Sequence, residues 1–199
     1  MGFTGSLVLA RTPSALIHLA GQDAELVGHR DDGWQLAAVD GHPHDAPGWA
    51  AALVDATTSP VLIAVVSDSD TALLLADSPG GHRWSAALNA PDSSTPSSVV
   101  AATVEVALEW AAEAGQSADA DAVLDALCAA DRDNQAADQA MIDATGDIAR
   151  MTEIVRNQIS FIEVYVLRVL ATLDLAVPVH NPGSWWAHLA AQADSHFPG

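Results

Sequence analysis

The chain has 199 residues, half of them hydrophobic, and carries 26 acidic against 7 basic side chains, for a formal net charge of −19. That is the composition of a folded chain with a lopsided surface, long enough to bury roughly 70% of its unfolded area without a disulfide. All seven cations are arginines (Arg11, Arg30, Arg83, Arg132, Arg150, Arg156, Arg168), so Schiff-base chemistry is excluded and P-loop or kinase phosphate binding disfavoured, while the acidity argues against nucleic acid and anionic membranes.

The first half reads as strands and turns. Leu7-Val8-Leu9 is a short apolar run, followed by the turn signal Thr12-Pro13-Ser14, with Ser14 as a cap for a short helix over 15–19. The runs 25–29 and 34–39 flank Asp31-Asp32-Gly33, a hairpin signal. The stretch 49–54 reads as a short helix. Val61 to Val66 is apolar at every position, which predicts a strand covered on both faces. With 71–76 and 82–88 it forms an antiparallel meander, broken at Ser67-Asp68-Ser69-Asp70 and Ser78-Pro79-Gly80-Gly81.

Residues 89–98 hold two prolines and four serines and read as a linker-like loop. Beyond them the pattern is helical. One helix spans 99–115. A second runs from a Ser117 cap to about Ala130, and 131–146 is polar and less regular. From Asp147 to Leu175 no glycine or proline occurs. Ile148, Met151, Val155, Ile159, Ile162, Val166, Val169 and Leu173 recur at steps of three and four, which predicts one long apolar helix over about 148–174. Such a helix is central in the domain or lies in a subunit interface. Ser184 is the expected cap of a last short helix containing Trp185 and Trp186.

Four groups of residues carry candidate chemistry. Asp68 and Asp70 follow an apolar strand, where paired carboxylates hold a divalent metal in some enzymes; a hairpin turn is the simpler reading. His42 and His44 lie beside Asp45, and neutral imidazoles bind zinc, nickel or copper; His18, His29, His82, His180, His188 and His196 are further ligand candidates that spacing does not select among. Glu105 and Glu109 are four apart on one helical face next to Trp110, a pairing that suits acid–base work or a solvated, partner-binding face. Trp185 and Trp186 are adjacent, so one of them faces outward and can anchor an interface. Cys128 is the single cysteine and reads as a small buried hydrophobe. No G-x-S-x-G elbow or H-E-x-x-H motif occurs.

The segments Gly2 to Arg11, Gly33-Trp34-Gln35-Leu36 and Val65-Val66-Ser67-Asp68-Ser69-Asp70 resemble a group of small uncharacterised actinobacterial proteins, over mainly residues 1–90. The resemblance implies an actinobacterial, cytoplasmic protein and designates no catalytic residue. The N-terminus lacks the basic and apolar regions of a signal peptide, and no stretch is long and apolar enough to span a membrane.

The expected fold is α+β in a single domain, 1–199: a strand-rich half (1–88), the loop 89–98, and a helical half (99–199) whose long helix packs on the sheet. The leading functional expectation is a non-catalytic, acidic binding or inhibitor protein that recognises a basic partner. The alternatives are a small-molecule enzyme, with or without a metal ion, using Asp68 and Asp70 or His42 and His44, and a homo-oligomer built through the 148–174 helix. No cofactor is assigned.

Overall fold

Strand β1 (Gly5–Arg11) lies in the middle of the sheet, although it opens the chain. It pairs antiparallel on one side with β3 (Trp34–Asp40) and on the other with β4 (Val61–Ser67). With β2 (Ala24–His29), β5 (Thr71–Asp77) and β6 (Trp84–Leu88) it completes a six-stranded antiparallel sheet of order β2-β3-β1-β4-β5-β6. These are the strands of a computed structural model that describes residues 3–21, 23–89, 97–157 and 161–196, without the side chains at 97–99, 156–157 and 196. The linker-like stretch lies largely outside the described residues, at 90–96.

The two-residue period of the strands sorts their side chains into two cores. Leu7, Leu9, Leu36, Leu62 and Leu74 face one side, Val8, Ala10, Ala37, Val61 and Ile63 the other. Helix α2 (Ala46–Thr57) covers the second face, with α1 (Ile17–Ala20) beside it. The first face is covered by α3 (Ser97–Glu113), α4 (Ala120–Asp143), α6 (Ile162–Thr172) and α7 (Trp185–His196), making three layers. The continuous apolar run of β4 is explained: it is central and covered on both sides. Each fully buried leucine contributes about 1.5–3 kcal/mol. The fold is α+β, as the segregated strand and helix signals imply.

Several local expectations are corrected. The long helix over 148–174 is two helices, α5 (Ile148–Asn157) and α6, because Phe161 is extended at φ −134° and α6 starts at Ile162. The Ile162 amide donates to the Ser69 carbonyl at 2.9 Å, so a tertiary bond takes the place of a continuing helical one. The cap of α4 is Asp119, which accepts from the Ala122 amide at 2.9 Å, and not Ser117. That helix runs on through the polar stretch to Asp143, well past Ala130. Ser14 does not cap α1; the Leu16 amide is bound by Gln35 Oε1 at 2.8 Å. Ser184 does cap α7, accepting from the Ala187 amide at 3.2 Å.

Candidate functional site

Asp68 and Asp70 sit in a hairpin turn closed by the Asp70 amide on the Ser67 carbonyl at 3.0 Å. Asp68 and Ser69 are both left-handed, at φ 52° and 57°, as a primed turn requires, and Asp and Ser tolerate this better than bulkier residues. The two carboxylates are exposed. The buried residue between them does the structural work. The Ser69 amide donates to the Phe3 carbonyl and its carbonyl accepts from the Ile162 amide; its Oγ accepts the Phe3 amide at 2.6 Å and donates to Glu163 Oε1 at 2.6 Å. Glu163 is fully buried in the first turn of α6, and its Oε2 has no partner. Burial pushes its carboxyl up from the ordinary range, with nearby Asp70 adding to this and the Ser69 bond opposing it. Sequence reading missed this pair because a glutamate in an apolar helix carries no mark of its partner far along the chain.

His42 Nε2 lies 2.8 Å from the Val66 carbonyl, so that nitrogen carries the proton and donates. His44 is exposed. Among the described residues no three His, Cys, Asp or Glu side chains gather around a possible metal position, so His42, His44, Asp68 and Asp70 do not form a common centre.

Glu105 and Glu109 are exposed on α3, but they are not equivalent. Glu109 lies 3.3 Å from His82 Nδ1. One turn on, Glu113 accepts the Ser78 hydroxyl at 2.5 Å and the Gly80 amide at 2.7 Å. Ser78 Oγ in turn accepts the His82 amide at 3.1 Å. Serine, histidine and glutamate meet here, yet the serine proton is directed at the carboxylate and no bond joins Ser78 Oγ to the imidazole, as a nucleophile and its base would require. The cluster clamps the turn after β5 onto the end of α3.

Trp186 is buried (5% exposed) and meets Phe3 edge-on at 5.3 Å, whereas Trp185 stays 38% exposed and packs edge-on against Phe161 at 4.5 Å. Cys128 is half-buried on α4, and desolvation raises its thiol pKa, with Asp131 adding to this. It is therefore a poor nucleophile.

The most distinctive surface lies where α4 gives way to α5. Beyond Ala130 no residue of α4 is buried. Gly146, at φ 93°, turns the chain, and Asp147 caps α5 by accepting the Arg150 amide at 3.1 Å. Helix α5 packs chiefly on α4. Three large apolar residues remain open to solvent there: Ile148 at 80%, Ile142 at 66% and Val155 at 59%. Ile148 and Val155 are seven apart and share one helical face, with half-buried Met151 between them. The same stretch, 138–155, carries the carboxylates of Asp138, Asp143, Asp147 and Glu153 against a single arginine, Arg150. An exposed apolar stripe with a polar, mainly acidic border is compatible with a protein-binding surface.

A separate cavity of about 670 Å³ opens between α4, α6 and α7. Leu167, Leu170, Val177, Pro178 and Ala193 line it, with Asp125, Arg168 and Asp194 as charged groups. Arg168 is ion-paired with Asp125, which also binds Arg132 at 2.8 Å.

No protein-family profile, curated protein or solved structure matches this chain. The functional reading therefore rests on the residues themselves.

Proposed function

We propose that the protein is a non-catalytic binding protein that recognises a basic partner through the α4–α5 elbow. The observation that carries this reading is the exposed Ile148–Val155 stripe of α5, with Ile142 exposed near the end of α4 and four carboxylates against one arginine in the same stretch. An apolar contact supplies affinity, and the surrounding negative charge selects a cationic rim and speeds encounter. The chain-wide charge of −19 acts in the same direction. A second copy is the poorer occupant, because self-association through this stretch sets carboxylates against carboxylates. Nor does α6, the second part of the segment expected as one helix over 148–174, offer a contact surface, since Ile162, Val164, Val166 and Val169 are buried in the protein's own core. The enzyme alternative is weaker. The Asp68–Asp70 segment is a hairpin turn, and one His42 nitrogen is already committed to a backbone carbonyl.

The test is affinity capture from the native lysate at low and high salt, using wild type and an Ile148→Ser/Val155→Ser variant. The reading requires a stoichiometric basic partner, lost at high salt and lost with the variant. Capture unaffected by both changes refutes it.

The cavity beside Leu167 and Leu170 supports a second reading, a small and largely apolar ligand. Its volume falls within the range of ligand sites, roughly 300–1,000 Å³. Filling it with Ala171→Trp would abolish binding of an apolar fluorescent probe if the reading holds; unchanged probe binding counts against it.

A further inference from the structure

Two exposed imidazoles far apart in sequence are held nitrogen to nitrogen at the edge of the sheet. His29 ends β2, an edge strand, and His180 follows α6 in the segment leading to α7. Nδ1 of His29 faces Nε2 of His180 in direct contact, with ring centroids 4.0 Å apart and the planes tilted by 59°.

The backbone beneath them is built for this approach. Gly28 and Val179 form an antiparallel bridge, and the His180 amide donates to the Val27 carbonyl at 3.1 Å. A Cβ on Gly28 would lie 2.1 Å from the Pro178 carbonyl oxygen, so only glycine admits the segment here. On the other side, Arg30 donates to the Asp174 carbonyl at 2.5 Å. The rings are therefore presented by a backbone bridge on one side and by an arginine side chain bound to a backbone carbonyl on the other, and not by a free loop.

We propose that His29 and His180 form a two-imidazole binding site for a late first-row divalent cation of the zinc, nickel and copper class. Neutral imidazole nitrogens are preferred donors for these ions. Two nitrogens each about 2.0–2.1 Å from one ion at a tetrahedral angle stand about 3.3 Å apart, so a small opening of the rings admits the cation between the facing atoms. Both rings are exposed, so water completes the coordination shell. The net charge of −19 raises the local concentration of cations at the surface. Bound metal would staple the segment after α6 to the edge of β2 and stabilise the fold by mass action.

The experiment titrates Ni²⁺ into tag-free full-length protein by calorimetry, with thermal melting in the presence and absence of the ion. Wild type, His29→Asn, His180→Asn and a His42→Asn/His44→Asn control are compared. The proposal requires one saturable site in wild type, weakened about tenfold or more in each single variant and preserved in the control. It also requires that Ni²⁺ raise the melting temperature of wild type and of the control but not of the single variants. Because both rings are exposed, metal-free melting of the single variants should match wild type, which separates loss of a ligand from loss of the fold. No saturable Ni²⁺ site in wild type, equal affinity in His29→Asn, or loss confined to the His42/His44 variant would each overturn it.

Discussion

Replacing Glu163 by glutamine should shift the stability difference from wild type in the variant's favour as pH rises from acid to neutral. Glu163 is buried, its Oε1 accepts from Ser69 at 2.6 Å, and its Oε2 is unpaired. Its carboxyl pKa is raised in the folded state above the ordinary 4.5, chiefly by desolvation. Below the unfolded pKa both states hold the proton, and the folded state suffers no charge penalty. As pH rises through the raised folded pKa, the unfolded state ionises freely while the folded state must bury a charge, so stability falls. The loss is about 1.4 kcal/mol for each pH unit between the two pKa values. Glutamine keeps the acceptor for Ser69 and removes the charge, while its amide inherits the unpaired position, a cost of about 1–3 kcal/mol at every pH. The difference between variant and wild type should therefore move in the variant's favour as pH rises above the ordinary carboxylate range, and level off once the folded carboxyl has ionised. Urea unfolding at four pH values measures it. The acidic surface contributes its own pH dependence to both proteins and cancels in the difference. A difference constant across pH would refute the assignment of Glu163 as a penalised buried carboxyl.

Four further outcomes are expected. Ser69→Ala removes the bond that opposes the rise in the Glu163 pKa, so it should destabilise by about 1–3 kcal/mol near neutrality and less at pH 5, read by the same unfolding series. Glu113→Ala frees Ser78 Oγ and the Gly80 amide, and hydrogen exchange at 78–82 should accelerate with a stability loss of about 1–2 kcal/mol. Leu74→Ala opens a void in the main core and should cost about 2–5 kcal/mol by thermal or urea unfolding. Cys128 should react with a thiol reagent more slowly at pH 7 than a free cysteine in a model peptide, because its thiolate is disfavoured.

How much of this was legible in the sequence differs by element. The β4–β5–β6 meander and the Asp31–Gly33 hairpin were readable because turn residues at short spacing leave few alternatives. The position of β1 between β3 and β4 was not, since strand order is set by which apolar edges meet and not by any local signal. The periodicity from Ile148 to Leu173 was real but misleading. A repeat of three and four describes a face and does not say whether one straight helix carries it. Here α6 buries its apolar residues beneath the sheet while the stripe of α5 stays outside, and one straight rod does not serve both positions. The bond from the Ile162 amide to the Ser69 carbonyl sets where α6 begins.

The candidate sites follow the same logic. Residues that looked chemical because they were close in sequence, Asp68 with Asp70 and His42 with His44, turn out to occupy turns and loops where proximity has a conformational cause. The groupings the fold does create join residues 94 and 151 positions apart, Ser69 with Glu163 and His29 with His180. Nothing near either partner names the other, because a two-body contact between distant segments constrains position and not neighbours in the chain. What the sequence did carry was a conflict of levels. Glu163 interrupts an otherwise apolar stretch, and Gly28 sits where a strand former would serve better. Local rules broken without local benefit mark the places where tertiary structure imposes a demand. In this chain both lead to contacts that hold segments of the helical half onto the sheet: Glu163 to the Ser69 turn, and Gly28 to the close approach of Pro178 that sets His180 against His29.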